Sequence, residues 1–371
     1  MKPKFPVANS VYTSDRPLII AEIGTSHGGD LAKALELVDA VAETGADCAK
    51  FQCVYADEIV HPNTGSVPLP GGSVRIYERF KALELDADFY AAAKERAEAR
   101  GLLFLCTPFG LKSARLLKRL GVKAMKIASP ELNHLPLIDE LASYGLPTLV
   151  SSGVSTIADI ERALSRLACP TLLLHCVTAY PAPAEEYNLR LLRGLQSVFG
   201  HPTGVSDHSL DPILVPSLAV AMGAVAIEKH ICLSRGDPGL DDPIALPPAD
   251  FKRMVEAVRV AAELPAGATV ANLSDEYGAE TVEAVLGNGV KRLAPSEAQN
   301  YTRSNRSVHA RKAIKKGEVF SQENLALLRT EKVLRPGLGP ELLAHVLGRK
   351  ARRAVPSGEG IEWEDVGDLA D

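Results

Sequence analysis

Before residue 265, short apolar runs alternate about eight times with amphipathic stretches of helical period, and this alternation constrains the fold more than any other feature. The runs read as strands at Leu18–Ile23, Cys48–Gln52, Leu102–Thr107, Ala124–Ser129, Thr148–Ser152, Leu172–Cys176, Thr203–Asp207 and Ala224–Lys229. Helical patterns fall between them, as at Leu31–Glu43, Asp86–Ala99 and Lys112–Leu120, and Pro248–Ala262 closes the set. Strand-plus-helix units in this number predict an α/β fold of the (β/α)8 TIM-barrel type. An open doubly wound sheet would show a GxGxxG turn near its start, and none is present.

A barrel of this kind builds its site from the C-terminal ends of its strands. Those ends carry Glu22 and His27, Lys50 and Gln52, Thr107, Lys126 with Ser129 and Glu131, Ser151 with Ser152, Tyr180, Ser206 with His208, and His230. A lone serine or threonine there is ordinarily a solvated strand-end residue, but eight coincident cases point to one cavity. Two lysines with hydroxyl donors suit a phosphate-bearing carboxylate. His208 and His230 end adjacent strands, where two imidazoles can share a divalent metal that polarises a carbonyl oxygen. Asp207, Glu228, Asp241 and Asp242 stand near them as acceptors able to fix an imidazole tautomer. For a histidine taken alone, capping a strand or sitting in a hydrogen-bonded core is the commoner reading, and the acidic neighbours bring the two readings level.

The chain's 371 residues, 46% of them apolar, exceed one ordinary domain and supply a sizeable aliphatic core. A net charge of -5 excludes the basic footprint of a nucleic-acid binder and favours a small-molecule partner. No apolar run approaches the ~18 residues that cross a membrane, and the first residues lack a signal-like apolar stretch, so a soluble, cytoplasmic protein is expected. The six cysteines form no CxxC pair, in keeping with reduced thiols. Residues 1–265 are expected to form the barrel, 266–305 a polar linker, and 306–371 a small module of short β segments and Gly-Glu turns. The basic run Arg349–Arg353 reads as a solvated face.

The successive motifs AEIGTSHGGD, AKFQ, CTPF, MKIASPE, VSSGVS, HCVTAYPAP, GVSDHSLD and IEKHICL, followed by PGLDD, resemble those of the sialic acid synthase family in order and spacing. The resemblance covers nearly the whole chain from about Leu18. It implies a transferase that condenses phosphoenolpyruvate with an open-chain aldose and releases phosphate, using Mn2+ or Mg2+. His208 and His230 would bind the metal, with Asp241 beside it. Lys50, Thr107, Lys126, Ser129, Ser151 and Ser206, with Gln52 adjacent, match positions that hold phosphoenolpyruvate. Glu22 matches a glutamate that handles a proton or orients the reacting carbonyl, and Glu131 and Tyr180 match positions lining the sugar side. The C-terminal module resembles the family's antifreeze-like (SAF, β-clip) domain, which reaches the partner's site in a domain-swapped homodimer. Arg335 matches the arginine it contributes there, with Arg329 a lesser candidate.

Three departures from the family pattern stand out. Ser26 replaces an asparagine before His27, and Ser151-Ser152-Gly153-Val154 stands where STGM is usual. Users of N-acetylmannosamine carry an asparagine in the loop after the second strand; here Gly71 occupies the approximate position, with Arg75 following. The same barrel and metal with pyruvate as donor would make an aldolase, and a form without turnover would be a sugar-binding protein. Retention of both lysines and both histidines favours the synthase.

Overall fold

The computed structural model describes residues 3–69, 72–331 and 333–369. Eight parallel strands form one sheet: β1 (Leu18–Gly24), β2 (Cys48–Cys53), β3 (Leu103–Pro108), β4 (Met125–Ile127), β5 (Thr148–Ser151), β6 (Thr171–Cys176), β7 (Thr203–Asp207) and β8 (Ala226–His230). Parallel ladders join every neighbour from β3 through β2, β1, β8, β7, β6 and β5 to β4, and the β3/β4 seam leaves the barrel nearly closed. Helices α1 (Leu31–Thr44), α2 (Ala87–Ala99), α3 (Leu111–Arg119), α4 (Leu135–Ser143), α5 (Ile157–Leu164), α6 (Leu191–Phe199), α7 (Leu214–Ala221) and α8 (Pro248–Glu263) follow the strands in turn. Asp30 caps α1 by accepting from the Ala32 and Lys33 amides, and Gly45 ends it in the left-handed conformation at φ 81°.

The strand period of two sorts each side chain to one of two cores. Ile19, Ala21, Ala49, Phe51, Val150, Val205 and Ile227 belong to the large core beneath the helices. Leu18, Ile20, Cys48, Leu105, Leu149, Leu174 and Ala226 instead fill the barrel interior, closed below by Phe5, Val7 and Tyr12 of an N-terminal hairpin. Polar residues take over the inward positions only at the strands' C-terminal ends.

Residues 266–305, expected as a polar linker, are largely helical. They form α9 (Ala266–Tyr277), α10 (Ala279–Leu286) and a short turn of helix at Pro295–Ala298. Leu273, Val282, Val285 and Leu286 join the main core, which is why the segment folds.

The C-terminal module has its own core of Val308, Ile314, Phe320, Val346, Val355 and Ile361. Its strands β9 (Arg306–Ala310) and β10 (Leu325–Arg329) pair antiparallel, as do β11 (Arg349–Ala351) and β12 (Val366–Leu369). Ala310-Arg-Lys-Ala-Ile and Ala351-Arg-Arg-Ala-Val form a repeat, each followed by a Gly-Glu turn. The two halves meet about a local twofold, with Ile314 and Val355 exchanging both backbone hydrogen bonds at 2.9 Å.

Within one chain the module packs on its own barrel. Arg306 is fully buried and donates through Nε to Glu131 Oε2 at 2.5 Å and through its other nitrogens to the carbonyls of Glu58, Ile59, Phe109 and Leu327. Among the described residues no helix is long and apolar enough to cross a membrane.

Candidate active site

Ladder register brings the inward polar residues together at one end of the barrel. Glu22 on β1 stands level with Lys50 on β2 and His230 on β8, and Ser206 on β7 with Glu228 on β8. Lys50 Nζ lies 2.9 Å from Glu22 Oε2 and 3.1 Å from Glu228 Oε2, and Gln52 Nε2 donates to Glu22 Oε1 at 2.8 Å. On the other side of Glu228, Ser206 Oγ donates to Oε1 at 2.8 Å and Lys126 Nζ stands 3.8 Å away. Lys126 Nζ donates in turn to Ser151 Oγ at 2.7 Å. Thr107 Oγ1 is buried without a hydrogen-bond partner, while Ser129 Oγ accepts from the Gly153 amide at 3.0 Å.

The two ammonium groups differ in their electrostatics. Burial works against the Lys50 charge, but Glu22 and then Glu228 outweigh it and hold the group above the usual lysine range. Burial pushes Lys126 down to about 8, with Glu228 opposing the shift and Lys50 adding to it. Glu228 is held down to about 2, because Lys126 and Lys50 overcome its desolvation.

His208 and His230 face each other with ring centroids 5.6 Å apart, and Tyr180 stacks on His208 at 4.3 Å. His208 Nδ1 makes a 2.9 Å hydrogen bond to the Val177 carbonyl, which as a pure acceptor requires a proton on Nδ1 and leaves Nε2 as the nitrogen available to a ligand. His230 Nδ1 is buried without a hydrogen-bond partner and lies 3.9 Å from Asp241 Oδ2. Burial pushes the His230 imidazole down to about 3, so it stays neutral and keeps a lone pair for coordination. Burial works against a charge on His208, but Cys176 outweighs it and raises that imidazole to about 9, so a metal there would displace a proton; the two imidazoles and the nearby carboxylate then fit a first-row divalent ion. Among the described residues no group of three or more His, Cys, Asp or Glu side chains is assembled to hold one.

Gly24 marks how tightly this end is built. Its φ is 58°, and a Cβ there would sit 3.3 Å from Gln52 Nε2 and 3.5 Å from both Glu22 Oε1 and Asp241 Oδ2. His27 packs at a tilt against Phe89, ring centroids 4.8 Å apart, with its Nδ1 accepting from the Gly29 amide.

Within the single chain, two expected site residues are engaged away from the lysine cradle. Glu131 is fully buried between Arg306 and Arg329, whose Nη2 reaches Glu131 Oε1 at 2.7 Å. Burial disfavours its charge, yet Arg306 and then Arg329 hold the carboxyl well below the usual range. Arg335 is taken up inside the module by the Gly360 carbonyl, by Asp365 at 2.7 Å and by Glu362 at 3.1 Å. Arg329 is the arginine of this pair that faces the barrel, with its guanidinium 5.3 Å from the centroid of the Phe109 ring. Gly71 lies outside the described residues, and Arg75 is an exposed side chain paired with Glu78.

Glu228 is the residue that motif reading placed too far from the chemistry. It stands two positions before His230 on β8, so strand parity alone aims it inward, between both lysines. Asp207 and Lys229 have the opposite parity and pair with each other at 2.5 Å outside the barrel.

A NeuB family model matches residues 37–269, more than half of the chain. The chain belongs to the NeuB family. A SAF domain model matches residues 305–367, the module that carries Arg306 and Arg329. Among NeuB-like relatives, the spore coat polysaccharide biosynthesis protein SpsE of Bacillus subtilis is 35% identical over 377 residues, covering 98% of this chain and 97% of that protein. Its crystal structure superposes with a TM-score of 0.81 over 99% of this chain and 100% of that one, at 34% identity. The N,N'-diacetyllegionaminic acid synthase of Legionella pneumophila is 34% identical over 361 residues, 94% of each protein. The N-acetylneuraminic acid synthetase of Leptospira borgpetersenii, solved with citrate, is 30% identical, with a TM-score of 0.66 over 81% of this chain and 95% of that one.

Proposed function

We propose that this NeuB-family chain is a nonulosonate synthase that joins phosphoenolpyruvate to an open-chain aldose and releases phosphate. The observation that carries the reading is the pair of buried ammonium groups, Lys50 and Lys126, converging with Ser151 and Ser206 on one inward carboxylate, Glu228, beside two facing imidazoles. Phosphoenolpyruvate carries a phosphate and a carboxylate, and two lysines with directed hydroxyls meet both anions at short range.

In the reaction, carbon 3 of phosphoenolpyruvate attacks the aldehyde carbon and the aldehyde oxygen takes up a proton. Water then adds to carbon 2 and loses a proton, and the C2–O bond to phosphate breaks, leaving the keto acid. Glu22, held by Gln52 and Lys50 at the level of His230, is the carboxylate placed to orient the acceptor oxygen or move its proton. Lys50, Lys126, Ser151 and Ser206 hold the donor and offset the charge of the departing phosphate. Tyr180, stacked on His208 and partly exposed, closes the acceptor side. His208 Nε2 and His230, with Asp241 near, would hold Mn2+ or Mg2+, which when bound supplies Lewis-acid polarisation of the aldehyde.

The relative named a diacetyllegionaminic acid synthase, together with the missing loop asparagine, supports a 2,4-diacetamido-trideoxy hexose as acceptor. The six unpaired cysteines accord with a cytoplasmic enzyme. A homodimer exchanging its SAF modules would make the Arg306–Glu131 contact between chains instead of within one. The test is phosphate release from phosphoenolpyruvate with a panel of hexose and hexosamine acceptors, with pyruvate as donor control. Product from pyruvate, or no sugar-dependent phosphate from phosphoenolpyruvate with any acceptor, overturns the reading.

A further inference from the structure

We infer that Glu297, in the segment joining barrel and module, is a positioning residue that fixes the loops after β5 and β6 against each other. The inference rests on the proposed synthase reading for its kinetic part only. Glu297 lies between the matched NeuB and SAF regions, in the stretch whose polarity reads as a connection. Its carboxylate is almost completely buried. Oε2 accepts from the Val154 amide at 3.0 Å and from the Thr178 amide at 2.8 Å, while Oε1 accepts from the Ala294 amide at 3.2 Å. One carboxylate thus bridges two active-site loops that share no ladder beyond their strand ends.

Both loops lead directly to the chemistry. Val154 stands three positions after Ser151, the hydroxyl that meets Lys126. Thr178 stands one position after Val177, whose carbonyl fixes the His208 tautomer, and two before Tyr180, which stacks on His208. Val154 is a β-branched residue at φ 42°, a conformation that persists only where its surroundings enforce it. Gly153 passes so close to Thr178 that a Cβ would come within 2.1 Å of its Oγ1. The same segment grips the loop at two further points, with Lys291 Nζ donating to the Ser152 carbonyl at 3.3 Å and Asn305 Nδ2 to the Val154 carbonyl at 3.2 Å. Charge-assisted hydrogen bonds to a buried carboxylate are strong, and loops that carry reacting groups must be held to within a fraction of an ångström.

The experiment compares Glu297→Ala, Glu297→Gln and Leu273→Ala in the full chain. Leu273 is a buried core residue of α9, so its truncation destabilises the same segment without touching either loop. Hydrogen exchange is read over residues 152–156 and 176–181, and kinetics are measured for both substrates well below each variant's melting temperature. Glu297→Ala is expected to expose both loops to exchange, lower kcat/KM about tenfold or more and raise the KM for phosphoenolpyruvate. Glu297→Gln keeps one oxygen for the two amides and should recover activity to within about threefold of the parent. Leu273→Ala should lower the melting temperature and leave exchange at the loops and both kinetic constants unchanged. Unchanged exchange at the loops in Glu297→Ala overturns the inference, as does an equal kinetic loss in Leu273→Ala. If the parent chain turns over no phosphoenolpyruvate, the functional reading fails while loop exchange still decides the role of Glu297.

Discussion

The Lys50 ammonium and the Glu228 carboxylate lie 3.1 Å apart inside the barrel, both almost fully buried, and Glu228 is shared with Lys126 at 3.8 Å. The two lysines are therefore balanced by Glu22 and Glu228, carboxylates with which a bound anion would compete. This balance keeps an otherwise costly pair of buried cations charged.

Lys126 sets an alkaline limit on donor binding. Its ammonium is pushed down to about 8, so the charge is present below that pH and lost as pH rises through it. kcat/KM for phosphoenolpyruvate should fall about tenfold per pH unit above roughly 8. Glu228→Gln removes the carboxylate that opposes this shift, and the falling limb should move to lower pH. A pH profile of both proteins checks this; coincident limbs would contradict the assignment.

The histidine pair should be essential for turnover and nearly dispensable for folding. His208→Ala or His230→Ala is expected to abolish phosphate release while changing stability by only about 1 kcal/mol, since both side chains face the cavity. Exhaustive chelation should reproduce the loss, and added Mn2+ or Mg2+ should restore the parent. Full activity in metal-free protein, verified by elemental analysis, excludes the metal role.

Arg306 and Arg329 should matter where Arg335 does not. Arg306→Met leaves Glu131 buried with one partner fewer, a loss of about 3 kcal/mol in thermal or denaturant unfolding. Arg335→Ala breaks contacts internal to the module and should leave kcat/KM within about twofold of the parent. The depressed Glu131 carboxyl contributes stability above its usual range near 4.5, and this is lost as pH falls through the folded value. Glu131→Gln should accordingly flatten the acid side of the stability profile.

A side chain at Gly24 should cost activity more than folding. Alanine at φ 58° costs about 1–2 kcal/mol, and its Cβ would crowd Gln52 Nε2 at 3.3 Å while touching Glu22 and Asp241. Gly24→Ala should stay folded and lose about tenfold or more in kcat. Parent-like kinetics would show that the Glu22–Asp241 geometry is not needed.

The acceptor preference is measurable directly. Without the loop asparagine, N-acetylmannosamine should lose a hydrogen bond worth about 0.5–1.5 kcal/mol, a threefold to tenfold effect. A 2,4-diacetamido-trideoxy hexose should then have the higher kcat/KM. A tenfold or greater preference for N-acetylmannosamine would falsify this expectation.

The order of elements and most of the cradle could be read from the chain, because strand parity is a local property. Thr203–Asp207 is found at its expected bounds, and Lys50, Lys126, Ser151 and Ser206 lie inward as their positions at the strand ends require. The same parity would have assigned Glu228 inward and Asp207 outward, had it been applied before the histidines drew both into a metal environment. Ser26 before His27 has no structural account beyond its burial.

Local sequence settled which residues alternate, how helices begin and end, and which side chains can face the barrel interior, since φ/ψ preference and periodicity act over a few residues. Tertiary structure alone decided the rest. Glu131 and Arg306 are 175 positions apart, and no local pattern could pair them. Likewise, polar residues 266–305 fold because the barrel's outer face accepts their few apolar side chains, and Glu297 finds its amides only on loops far earlier in the chain. Burial of a charge is affordable only beside a partner, and which partner is near is a property of the folded chain.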